Sequence, residues 1–164
     1  MRIVGYVRES PDPTAGDPGF AQQEEIRRYA ARHGHALVAV CQDARTPGYP
    51  LGRDGFRSLL GVIAAGGAEA VVVAGLEALS ADQIVQEIML WDLRSRRVRV
   101  LSTDQADLPV LDGDPGPART LIRDVLARVA EHAEALRLHA SEPAGVPDDD
   151  GVVVHLDRAE RPGA

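Results

Sequence analysis

Apolar and polar positions along the chain fall into short strand-like runs that alternate with helical stripes. Ile3, Val4 and Val7 form an apolar run that predicts a buried strand, and it stops at Arg8, Glu9 and Ser10. The stretch 11–19 holds three prolines and two glycines and cannot form a regular element. Over about 20–33, Phe20, Ile26, Tyr29 and Ala30 supply the stripe of a helix, and Gly34 is placed to end it. The run 37–41 predicts a second strand, and Pro47, Gly48, Pro50 and Gly52 make 42–52 a loop. Phe56, Leu59, Leu60 and Ile63 predict a helix over about 53–65, ending at Gly66 and Gly67. The run 70–74 is apolar on both faces and predicts a central strand. A helix over about 81–95 follows, with Ile84, Val85, Ile88, Met89 and Leu93 inward and Trp91 as core or interface packing; 98–101 predicts a fourth strand. This alternation of strand and helix is that of an α/β domain.

A break rich in Gly, Asp and Pro covers 112–117. Beyond it Leu121, Ile122, Val125, Leu126, Val129, Ala133 and Leu136 lie along one face of a helix over about 119–139. At 1.5 Å per residue that helix is about 30 Å long, more than is needed to cover a sheet. The expected organisation is an α/β domain over 1–111, a long helix over 118–140 and an acidic, flexible tail over 141–164 with one β-like run at 152–156.

Composition narrows the class. The chain has 164 residues, 45% of them hydrophobic and 26% charged, which is enough for one globular core. With 25 acidic and 18 basic residues the net charge is −7, and every one of the basic residues is an arginine. A net acidic chain argues against tight duplex binding on its own, although arginines can still cluster locally. The single cysteine, Cys41, excludes an intramolecular disulfide and a cysteine zinc cluster. The longest apolar run, 70–76, is far short of the roughly 20 residues that span a bilayer, so a cytoplasmic location is expected.

The chemistry concentrates where the first strand ends. A hydroxyl (Ser10) stands beside a guanidinium (Arg8) at the carboxyl end of a strand, the edge of an open α/β sheet where ligands collect. Tyr6-x-Arg8-x-Ser10, Gln22 on the first helix, Asp43 followed by Arg53-Asp-Gly-Phe56, and the run Leu76-Glu77-Ala78-Leu79-Ser80-Ala81-Asp82 together resemble the serine recombinases, the resolvases and invertases. The resemblance implies an open, mostly parallel sheet with flanking helices and a long C-terminal dimerisation helix. It also implies a mechanism in which Ser10 attacks a DNA phosphate, Arg8 and Arg53 hold that phosphate and Gln22 orients the site, with no metal and no cofactor. The implied partners are DNA and, through 118–140, a second copy or a related recombinase.

Several positions depart from the family's pattern. Where the family typically reads Leu-Asp-Arg-Leu-Ser-Arg-Asp, this chain has Glu77, Ala78 and Ala81, so both arginines are replaced. Glu9 puts a carboxylate between Arg8 and Ser10, and the end of the long helix reads Leu138-His139-Ala140-Ser141 in place of a Glu/Arg-rich signature. A short acidic tail follows where the family continues into a basic helix-turn-helix domain. Arg45 is the candidate substitute for a missing cation. These losses lead us to expect impaired catalysis and weak DNA binding, and the alternative is a non-catalytic interaction module. Other chemistries fit less well. Arg8-Glu9-Ser10-Pro11 is the wrong turn for a pyrophosphate. His33, His35, His132 and His139 read as capping or surface residues, and Asp148 to Asp150 is too short for a calcium loop.

Overall fold

The computed structural model describes residues 1–12 and 14–141, with side chains as far as Arg137. The tail beyond Ser141, including the 152–156 run and Asp148 to Asp150, and the side chains of Leu138 to Ser141 lie outside the described residues. The chain divides into two compact units, Met1–Arg128 and Val129–Ala164; the described part of the second is the latter half of a long helix.

Four parallel strands, β1 (Arg2–Arg8), β2 (Ala36–Asp43), β3 (Ala70–Val73) and β4 (Arg99–Ser102), form one sheet in the order β2-β1-β3-β4. The helices are α1 (Gly19–Arg32), α2 (Asp54–Ala64), α3 (Gln83–Ser95), α4 (Leu108–Asp112) and α5 (Pro117–Ser141). Strand alternation sorts the core into two layers. Ile3 and Val7 of β1 and Ala70 and Val72 of β3 pack with Ile26 and Ala30 of α1 on one face. Val4, Tyr6, Val71 and Val73 pack on the other with Phe56, Leu59 and Ile63 of α2 and Met89, Leu90 and Leu93 of α3. Both central strands are therefore buried on both sides, as their uninterrupted apolar runs require.

Two expected inward residues point outward. Phe20 is 77% exposed, because the buried face of α1 is set by Gly19, Gln22, Ile26 and Ala30, and Phe20 stands about 120° round the helix from Ile26. Ile84 is 57% exposed for the same reason: α3 buries Gln86, Glu87, Met89, Leu90 and Leu93. The stretch after β4, where the apolar pattern predicts no element, folds into a short 3₁₀ turn (Gln105–Asp107) and α4.

Asp43 joins α2 to the sheet. Its carboxylate accepts from the Tyr6 hydroxyl (2.8 Å), from Gly55 N–H (2.7 Å) and from Phe56 N–H (3.1 Å), so the last residue of β2 satisfies two orphan donors at the start of α2. The approach is close enough that a Cβ on Gly55 would lie 2.5 Å from the Gln42 backbone, which is why a glycine stands there. Burial, with Asp43 beside it, pushes the Tyr6 hydroxyl far above its ordinary pKa and keeps it a neutral donor.

Candidate active-site cleft

The chain leaves β1 for β2 on one side and then crosses to β3 on the other, so a crevice opens between the carboxyl ends of β1 and β3. A cleft of about 790 Å³ occupies it. Arg8 and Ser10 come to it from the end of β1, Gln22 from α1, and Glu77, Ala78, Ser80, Ala81 and Asp82 from the segment between β3 and α3. Topology thus brings together most of the residues singled out in the sequence. Arg53 and Arg45 do not line the cleft, and neither does Glu9.

The guanidinium of Arg8 faces the opposite wall. Its Nη2 donates to the Glu77 carbonyl (2.7 Å), its Nε to the Ala78 carbonyl (3.2 Å) and its Nη1 to the Thr46 carbonyl (3.2 Å). The Ser10 hydroxyl accepts from Asp12 N–H at 3.2 Å, and among the described residues no side-chain base is its hydrogen-bond partner. Gln22 is buried and clamps the end of β1: its Nε2 donates to the carbonyls of Arg8 (2.9 Å) and Asp17 (2.7 Å), and its Oε1 accepts from Arg8 N–H (3.3 Å). Its amide therefore shapes the backbone on either side of the Ser10 loop.

Charge in the cleft is of the wrong sign for a phosphate. Among the described lining residues Arg8 is the one cation, set against the carboxylates of Asp17, Glu77, Asp82, Asp104 and Asp107. The N-terminus of α3 would attract an anion. Asp82 already fills it, accepting from Ile84 N–H (2.8 Å) and Val85 N–H (3.0 Å). Ala78 is buried and Ala81 exposed, and neither supplies a donor beyond its backbone.

Arg53 lies in the core, 3% exposed, its Nη2 donating to the Leu79 carbonyl (2.6 Å) and lying 2.7 Å from Met89 Sδ. Its guanidinium sits 5.8 Å over the Tyr6 ring, while Nε and Nη1 have no hydrogen-bond partner among the described residues. Burial lowers its pKa, opposed by Tyr6 and Asp43. Arg45 is exposed in the loop after β2, with φ at 48°. Among the described residues no group of three or more His, Cys, Asp or Glu side chains is placed to hold a metal ion, and no helix is long and apolar enough to cross a membrane.

A buried polar cluster that the apolar pattern does not single out lies on α3 and α5. Glu87, 1% exposed on α3, accepts from Arg119 Nη1 (2.7 Å) and from Arg123 Nε (2.7 Å) and Nη2 (3.1 Å), both arginines on α5. Gln86, also buried, accepts from Arg119 Nη2. The available signal was the polar pair Gln86-Glu87 interrupting an apolar helix face, with two arginines one turn apart on a later helix.

Comparison with known proteins decides the family. The family model described as Resolvase, N terminal domain matches residues 3–142. The chain belongs to this family. No curated protein matches it in sequence. Among solved structures this resolvase domain is similar to the N-terminal catalytic domain of TP901-1 integrase, with a TM-score of 0.59, 20% identity, and 83% of this chain and 98% of that one covered. It is also similar to a resolvase family site-specific recombinase from Streptococcus pneumoniae (TM-score 0.55, 18% identity, 86% and 99% covered). A third similar structure is the C-terminal catalytic domain of ISC1926 TnpA, an IS607-like serine recombinase (TM-score 0.55, 18% identity, 79% and 99% covered). At these identities the likeness is one of fold, and it extends to the α/β architecture with its parallel sheet.

Proposed function

We propose that this resolvase domain keeps the framework of a serine recombinase catalytic domain but does not cleave DNA, and that it serves as an interaction module pairing with itself or with a related recombinase through 118–140. The observation that carries this reading is the state of Arg8, the one cation among the described residues of the cleft, whose Nε, Nη1 and Nη2 all donate to backbone carbonyls. Attack of Ser10 on a phosphodiester without a metal needs guanidiniums that hold the phosphate in line and neutralise its developing charge. Ala78 and Ala81 supply neither, and Arg53 is committed to the core. One arginine finger in other phosphoryl-transfer enzymes is worth about 10³ to 10⁵ in rate, so losing two removes useful catalysis even though such effects do not add. The pairing half of the reading is supported by α5, where Leu121, Val125, Val129 and Leu136 are exposed.

The test is covalent capture. Incubated with supercoiled DNA and resolved under denaturing conditions, the purified protein is expected to give neither nicks nor a protein–DNA adduct. An adduct that disappears in Ser10→Ala would overturn the reading.

A further inference from the structure

Gln86 does not line the cleft, yet its buried amide makes three hydrogen bonds beside it. From inside α3 its Nε2 donates to the carbonyls of Leu76 (2.8 Å) and Ser80 (2.8 Å), the two ends of the turn that builds the cleft wall opposite Ser10. Its Oε1 accepts from Arg119 Nη2, in the first turn of α5. The carbonyls between those two ends, Glu77 and Ala78, are the ones that receive the Arg8 guanidinium. Hydrogen bonds from α5 through one buried side chain thus hold both ends of the 76–80 backbone, and the middle of that same backbone holds the arginine beside the candidate nucleophile.

We propose that Gln86 is a positioning residue that couples the seating of α5 to the cleft, so that a change at the first turn of α5 is transmitted to the Leu76–Ser80 wall and to Arg8. The chemistry of the amide makes the link directional. Oε1 can only accept and Nε2 can only donate, so with a guanidinium on one side and two carbonyls on the other a single orientation satisfies every group. Arg119 is itself fixed, because its Nη1 is held by the buried Glu87 carboxylate at 2.7 Å. Withdrawing Arg119 leaves Oε1 buried without a donor, removes one of the three bonds seating the amide and so loosens its hold on the two wall carbonyls. Such coupling needs a contiguous packed network, and this one has a single middle member. It holds whether or not Ser10 retains any chemistry, so its failure and the failure of catalytic silence are read in separate experiments.

The test is amide exchange and Arg side-chain NMR on the full chain. Leu79 and Ser80 N–H both donate to the Leu76 carbonyl and report on the wall. Arg119→Ala is expected to speed their exchange about tenfold and to move the Arg8 Nε–H resonance, leaving the amides of α1 unchanged. Arg123→Ala removes a Glu87 partner without touching Gln86, and is expected to leave the wall amides within about twofold of wild type. Unchanged wall amides and Arg8 signal in Arg119→Ala, or equal acceleration in Arg123→Ala, would overturn the coupling. Should Arg119→Ala not fold, Gln86→Glu keeps an acceptor for Arg119 and removes both donors to the wall. Faster exchange at Leu79 and Ser80 with α5 amides still protected supports the link; unchanged wall amides, or loss of protection in α5 as well, rejects it.

Discussion

Arg8 reaches across the cleft to the Glu77 carbonyl at 2.7 Å, so the first strand is tied to the wall that follows the third. With Nε on Ala78 and Nη1 on Thr46, the same side chain fastens three segments that sequence separates by more than thirty residues. In this structure Arg8 is a brace as much as it is a candidate phosphate ligand.

A brace should show in stability. Arg8→Ala is expected to lower the free energy of unfolding by about 2 kcal/mol, because bonds from a charged donor are worth about 1.5–3 kcal/mol and this one is only half-buried. Urea denaturation checks it. A change within about 0.5 kcal/mol, typical of surface substitutions, would mean the ties are made at no net gain.

Duplex DNA should bind feebly. The net charge is −7, and the cleft offers one engaged cation against five carboxylates. Affinity at physiological salt is expected to be no tighter than the roughly 10⁻⁴ to 10⁻⁶ M of non-specific binders. Fluorescence anisotropy with a labelled duplex measures it, and sub-micromolar binding would show that the arginines outside the cleft form a basic face.

The strands were legible because a parallel sheet covered on both faces demands uninterrupted apolar runs, and 3–7 and 70–74 have them. Arg8, Ser10, Gln22 and 76–82 were legible as a group because chain order alone carries strand ends to one edge of such a sheet. Orientation within a helix was less so: Phe20 and Ile84 are apolar but stand outside the faces that α1 and α3 bury. The motif points to Arg53 as a phosphate ligand, whereas its guanidinium lies among Tyr6, Leu79 and Met89. The Glu87 cluster was legible only as the polar pair Gln86-Glu87 on an apolar face, since the arginines that make a buried carboxylate tolerable lie more than thirty residues further along the chain.

Glu87 gives a prediction with a definite sign. Burial alone would raise its pKa, but the hydrogen bonds and charges of Arg123 and Arg119 outweigh burial and hold it below its ordinary 4.5. A carboxyl depressed on folding stabilises the protein above its unfolded pKa, and that stability is lost as pH falls through the folded value. Glu87→Gln is therefore expected to cost about 3 kcal/mol at neutral pH, since it leaves two half-buried guanidinium partners without a counter-charge. The gap between variant and wild type should narrow below about pH 4.5. Thermal melts across pH 3 to 7 are the measurement, and a constant gap would place the titration elsewhere.

The long helix yields the sharpest test of the proposed role. Within α5, Leu121, Val125 and Val129 stand four residues apart, Leu136 follows, and all four are more than half exposed, whereas Ile122 and Leu126 are half-buried. The exposed stripe, and not Leu126, is therefore the surface on which a second helix would lie. Each aliphatic side chain covered there gains roughly 1.5 to 3 kcal/mol, before the entropy of bringing two chains together is subtracted. A charge in the middle of the seam would be buried unpaired. Val125→Asp is accordingly expected to convert a dimer into a folded monomer in light scattering, with a circular dichroism spectrum like that of wild type. Leu126→Asp, placing a charge at a half-buried position, should lower the melting temperature instead. A wild-type protein that stays monomeric at high micromolar concentration would remove the case for pairing through 118–140.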